Sequence, residues 1–149
     1  PRQSQPYTYA GSALSCDDDP SFTAGPVVGA PLPDGHCGEQ GYLLEHLGRG
    51  FTVLYFSADG RAPEALHAAC AAMTVADVPA RLLVIAMRGA MDAQTLRDVD
   101  GHLFAAHGAV DGSCYLVRPD RHVCARWRQW RADALSHAYV RAMARAEDV

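Results

Sequence analysis

Residues Ser113 to Trp127 read SCYLVRPDRHVCARW, two short apolar runs joined by Arg118-Pro119-Asp120-Arg121. Proline presets φ at the second position of a turn, and aspartate bonds its own backbone two residues on. The stretch therefore reads as a β-hairpin. A three-residue turn pairs Cys114 with Arg126 and Cys124 with Leu116, so the two cysteines on the arms do not face each other. Ahead of the first arm stands Asp111-Gly112-Ser113, without a proline.

Upstream of the hairpin, two apolar runs read as buried strands. They are Phe51–Phe56 (FTVLYF) and Arg81–Met87 (RLLVIAM). Between them Asp59-Gly60 turns the chain and Pro63 suits a first helical turn. Leu66, Ala69, Cys70 and Met73 follow at helical spacing. A short helical pattern over Glu39–Leu47 is closed by Gly48. Asp100-Gly101 is a turn signal, and His102–His107 suits one short helix ended by Gly108. Beyond the hairpin, Leu135, Ala138, Tyr139, Ala142, Met143 and Ala146 mark one face of a helix over 132–146.

A strand, helix, strand unit implies a right-handed parallel crossover. A hairpin then adds antiparallel strands to the same sheet, and a long helix covers one face. That order predicts a thioredoxin-like α/β fold, a mixed four- to five-stranded sheet with helices on both faces. Residues 1–35 hold most of the nine prolines and the acidic run Asp17-Asp18-Asp19. They read as an extended linker ahead of a domain over 36–149. Tyr7, Tyr9, Leu14, Phe22, Val27 and Val28 are too many apolar residues for a free tail, so the segment is expected to lie on a folded surface.

Composition narrows the function. The chain has 149 residues and a formal charge of −4, and its 13 basic residues are all arginine. A mildly acidic chain is a poor binder of nucleic acid or of anionic membrane. No apolar run reaches membrane-spanning length. Five cysteines without regular spacing argue against a disulfide scaffold and for reduced thiols in a cytoplasmic protein. The chain opens on Pro1 with no initiator methionine, which reads as a processed product or a piece of a longer chain.

Redox members of this fold place a cysteine pair, or one peroxidatic cysteine, where the first central strand meets its helix, because the helix N-terminus lowers the thiol pKa. Here that loop is Ser57-Ala58-Asp59-Gly60-Arg61, with no cysteine. A stand-alone redox protein would have to use Cys37, in the polar loop Asp34–Gly38, or Cys70, on the apolar face of its helix. The expected reading of Cys37 is an exposed or half-buried loop cysteine. His36 beside it, the pair His67 and Cys70, and the scattered His46, His102, His107, His122 and His137 show no metal-ligand spacing. Gly48-Arg49-Gly50 is too short for a phosphate cradle and precedes a strand instead of opening a helix. Ser57, Ser113 and Ser136 sit in no nucleophile elbow. No catalytic, cofactor-binding or metal-binding residue is assigned.

The cluster Arg126-Trp127-Arg128-Gln129-Trp130-Arg131 is the most unusual composition in the chain. It reads either as a partner surface, an intramolecular partner included, or as a strand end. In the second reading the tryptophans cap the core and the arginines face water or acids such as Asp133.

Four stretches resemble one family in order: Tyr9–Ser15 (YAGSALS), Val28–Asp34 (VGAPLPD), Gly48–Leu54 (GRGFTVL) and Tyr115–Val123 (YLVRPDRHV). The last is close to that family's LVRPDGHVAWR. The chain thus resembles the C-terminal domain of the FAD-dependent aromatic hydroxylases, flavoprotein monooxygenases of the 3-(3-hydroxyphenyl)propionate, phenol and polyketide hydroxylase type. The resemblance implies a thioredoxin-like appendage without redox cysteines that serves stability or subunit contact. It implies FAD and NAD(P)H for the parent protein, bound by a part that precedes this chain. Its partners would be that FAD-binding catalytic part of the same polypeptide and, as a candidate, a second copy. Arg121 departs from the family's glycine at a position that favours a left-handed residue, at a cost on the order of 1 kcal/mol.

Overall fold

The computed structural model describes residues 18–75 and 78–147. Two 3-10 turns, Gly38–Gln40 and Leu43–His46, precede β1 (Thr52–Phe56). Next come α1 (Glu64–Ala72), a small ladder of β2 (Thr74–Val75) and β3 (Val78–Pro79), then β4 (Arg81–Ala86) and β5 (Thr95–Arg97). The chain ends with α2 (His102–His107), β6 (Cys114–Val117), β7 (Val123–Trp127) and α3 (Ala132–Glu147). The main sheet has the order β5-β4-β1-β6-β7. β1, β4 and β5 run parallel, whereas β6 and β7 are antiparallel. These are the order and directions of a thioredoxin-like sheet.

Period-2 alternation splits the core into two layers. Val53, Leu82, Val84, Cys114 and Leu116 face α1 and α3, where Leu66, Cys70, Leu135, Ala138, Tyr139 and Ala142 close the first layer. Leu54, Phe56, Leu83, Ile85, Tyr115 and Val117 face the other way. There Leu103 and Phe104 of α2 join Phe22, Val28, Leu32, Cys37 and Leu43 from the N-terminal part of the chain. Because α2 is only six residues long, this upstream segment supplies much of the second cover.

The hairpin turn forms as read. Arg118 N–H donates to His122 O and Arg121 N–H to Arg118 O, both at 2.9 Å. Arg121 takes the left-handed conformation at φ 69°. The register differs from the expected one: Cys114 stands opposite Trp127, Tyr115 opposite Arg126 and Leu116 opposite Ala125. A β-bulge between Leu116 and Val117 inserts Cys124 as an extra residue on β7, which shifts every pair beyond it by one. The arm cysteines remain out of register with each other.

Two further findings concern local structure. Glu39–Leu47 forms two 3-10 turns broken at Gly41 (φ 86°) instead of one helical segment. β5 is the fifth strand the expected sheet allowed, but Thr-Leu-Arg is too short to show a period that would place it. Its edge is covered by one side chain. Gln40 Nε2 donates to Asp92 O (3.0 Å) and Thr95 O (2.9 Å), and Arg97 N–H donates to Gln40 Oε1 (2.9 Å). That carboxamide stands where a neighbouring strand's peptide would.

Candidate functional site

The place where redox relatives of this fold keep a thiol is the loop after β1. Here it is filled by hydrogen bonds. Ser57 is buried, and its Oγ donates to Asp59 Oδ1 at 3.0 Å. Arg61 N–H donates to the same oxygen, and Ala58 N–H donates to Asp111 Oδ1 at 2.9 Å. The Arg61 N–H and the Ser57 hydroxyl hold the Asp59 carboxyl below the usual carboxylate range. Ser57 thus points at a carboxylate acceptor, with no histidine in its hydrogen bonding.

The thiols are placed against reactivity. Cys37, expected at or near the surface, is 1% exposed. Its N–H donates to Gly41 O, and its side chain belongs to the second core layer. Burial, with the charges of Asp34, Asp98 and Glu45, pushes its pKa up to about 11. Burial alone pushes Cys70 up to about 12, and Cys114 lies well above the ordinary thiol value. A thiolate needs the opposite environment.

The histidines do not converge on a metal. His36 and His102 stack at 4.8 Å between ring centres, and His102 Nδ1 lies 2.5 Å from Val99 O. His46 Nε2 contacts Gln40 O, while His137 is exposed on α3. His107 is fully buried between Phe56 and Tyr115, with Nδ1 2.8 Å from Leu103 O. Burial lowers its pKa to about 4, so it is neutral at pH 7. Among the described residues no group of three or more His, Cys, Asp or Glu side chains is placed to hold a metal ion. Among them, too, no helix is long and apolar enough to cross a membrane.

Gly48-Arg49-Gly50 does not fit a flavin diphosphate either. Gly48 N–H donates to Thr52 Oγ1 (3.0 Å). Arg81 and Val78 occupy the space beside Gly48 and Gly50, at 3.2 and 3.3 Å from where a Cβ would stand. These glycines serve close packing at the start of β1, and the Gly48 N–H is already committed to Thr52.

The densest polar geometry lies at the basic-aromatic cluster. The two tryptophans pack on the first core layer, as expected for core caps. Of the two expectations for Arg126, water or an acidic partner, the second holds: the side chain is 5% exposed and points into the second layer. Its Nε and Nη2 donate to the two carboxylate oxygens of Asp18 (2.7 and 3.0 Å), and its Nη1 donates to Ala24 O (3.1 Å). Its guanidinium carbon lies 4.1 Å from the centre of the Phe22 ring. Arg128 N–H donates to Asp19 Oδ2 at 2.8 Å. The basic cluster therefore has an intramolecular acidic partner 108 residues away in sequence. Around this clamp opens a cleft of about 510 Å³ between Asp18–Ser21 and Arg126–Arg131.

Sequence reasoning missed this pairing, although both halves of the signal, the acidic run and the arginine run, were in view. It also missed Asp98. This buried carboxylate accepts Leu103 N–H (2.8 Å) and Phe104 N–H (2.9 Å) and so satisfies the first turn of α2.

With this geometry in place, comparison decides the family. The sequence model of the HcaD C-terminal domain matches residues 35–142. The chain belongs to that family. No curated protein matches it. Among solved structures, the flavin-dependent monooxygenase PieE, in complex with FAD and substrate, is 26% identical, with a TM-score of 0.70 over 93% of this chain and 25% of the PieE chain. Aklavinone-11 hydroxylase, in a ternary complex with FAD and aklavinone, is 25% identical, with a TM-score of 0.63 over 93% of this chain and 26% of its own. RebC, at 20% identity and a TM-score of 0.58, shares the fold. This HcaD C-terminal domain thus spans about a quarter of the length of these flavoproteins.

Proposed function

We propose that this HcaD C-terminal domain is the non-catalytic, thioredoxin-like C-terminal part of a cytoplasmic FAD- and NAD(P)H-dependent aromatic hydroxylase. In this reading residues 1–35 connect it to the flavin-binding part of the same polypeptide and 36–149 form the domain. Its role is stability and subunit contact, with a second copy as the candidate subunit. The observation that carries the reading is the loop Ser57–Arg61. At the fold's usual reactive position it holds a hydrogen-bonded serine and aspartate in place of a thiol. Cys37 and Cys70, the thiols a redox role would call on, are buried with raised pKa values. Likeness to the flavin-dependent monooxygenase PieE and to aklavinone-11 hydroxylase supports the hydroxylase context.

The test is titration of the folded chain with a thiol reagent, alongside disulfide- and peroxide-reduction assays. Slow, unfolding-limited labelling of Cys37 and Cys70, without turnover, is expected. Fast labelling of Cys37 or Cys70 at neutral pH, with turnover, would establish a stand-alone redox protein instead.

A further inference from the structure

We propose that the cleft between Asp18–Ser21 and Arg126–Arg131 seats the flavin-binding part that precedes this domain, and that this part presents carboxylates to Arg128 and Arg131. The inference rests on the hydroxylase reading given above and adds the surface and its chemistry.

Three observations carry it. The first is position. The Arg126 clamp fixes Asp18 at the rim of the cleft, so the polypeptide N-terminal to Asp18 departs from this point. A part that precedes it is tethered within reach of the cleft, which raises its effective concentration there. The second is rigidity. Gly25 and Gly108 let backbones meet where side chains could not: a Cβ on Gly25 would lie 2.2 Å from His107 O, and one on Gly108 would lie 2.4 Å from Ala24 O. Residues 29–32 then bond along the hairpin turn and the first residue of β7, with Gly29 N–H donating to Val123 O and Leu32 N–H to Arg121 O. Residues 18–32 are therefore a fixed strap, and the departure point is a defined part of the surface.

The third is the hydrogen-bonding left over. The acids of the cleft are satisfied: Asp18 by Arg126, and Asp19 by Arg128 N–H and by Ser21 Oγ at 2.6 Å. Of the cations, Arg126 is bound in the clamp, whereas Arg128 and Arg131 are exposed at its rim. The exposed Arg128 guanidinium makes no ion pair among the described residues. Arg131 is 71% exposed and only 4.0 Å from the equally exposed Asp133. The open capacity is for acceptors, and the fork geometry of arginine fits carboxylates. Residues 1–17 carry one arginine and one aspartate, so they do not supply a set of acids.

The experiment compares amide hydrogen exchange over 18–22 and 126–131 in the full-length protein and in the 149-residue chain alone. It also includes full-length variants Arg128→Glu/Arg131→Glu and, as a distant exposed control, Arg49→Glu. Flavin content and melting temperature are read on every sample. Expected is slower exchange in the full-length protein, by about five- to tenfold as two surface ion pairs would give. That protection should shrink with added salt and vanish in the double variant but not in the control. Equal exchange in chain and full-length protein would overturn the proposal, as would protection indifferent to the charge reversal. A preceding part that binds no flavin would sink the hydroxylase reading, and any protection then seen would overturn the partner named here. Flavin-loaded protein without protection would sink the docking surface alone.

Discussion

Replacing Arg126 with methionine keeps most of the stem and removes the charge. The variant loses two charge-assisted hydrogen bonds to Asp18, one bond to Ala24 O and the stacking on Phe22. Charged hydrogen bonds contribute about 1.5–3 kcal/mol each. Asp18 is 31% exposed, however, and can turn to water once its partner is gone. The net cost should be about 2 kcal/mol, near the low end for a broken buried pair. Asp18→Ala should cost more, about 3–4 kcal/mol, because it strands a guanidinium that is 5% exposed. The double variant should fall close to the worse single one, giving a coupling of about 2 kcal/mol. Urea unfolding of the four proteins reads these values, and exchange at Gly29 and Leu32 reports the strap. A cost below about 0.5 kcal/mol for Arg126→Met, or strictly additive singles, would refute the clamp.

Three other expectations can be read on the same chain. Arg121→Gly relieves a left-handed arginine at φ 69° and should raise stability by about 0.5–1 kcal/mol in urea melts; a loss would mean that its side chain holds the turn. Gln40→Ala takes the carboxamide from the β5 edge groups, costing about 0.5–1.5 kcal/mol. It should also promote self-association in sedimentation, and a fully stable monomer would contradict the edge-cover role. His107, whose pKa burial lowers to about 4, takes up its proton in the unfolded chain first as pH falls. Its contribution is therefore complete above the unfolded value near 6.5 and is lost progressively down to about pH 4, by roughly 3 kcal/mol. His107→Gln should flatten that slope, and an unchanged slope would place the titration elsewhere.

The parts legible in the sequence are those fixed by local chemistry. Phe51–Phe56 and Arg81–Met87 had to be strands buried on both faces, and the Pro119-Asp120 turn had to reverse the chain. The helix stripe through Leu135, Tyr139 and Ala142 likewise had one face to bury. The parts that were not legible depend on distant partners. β5 exists because β4 offers an edge and Gln40 closes it. The bulge at Cys124 goes with the pairing of β7 to the strap, where Val123 N–H donates to Ala30 O. Arg126 looked like one more surface arginine because Asp18 lies 108 residues away. The candidate site was legible mainly through its missing cysteine. Cys37 was misjudged because its burial comes from the second core layer, which no local pattern reveals.

In the function proposed above, this domain supports a flavin hydroxylase without taking part in its chemistry. The most direct measurement is the rate of NAD(P)H-dependent aromatic hydroxylation per bound flavin, in the full-length protein and after removal of this domain. The account predicts rates per flavin within about threefold of each other, together with a lower melting temperature. A loss of about a hundredfold or more per bound flavin, the size seen when a transition-state contact is removed, would contradict it.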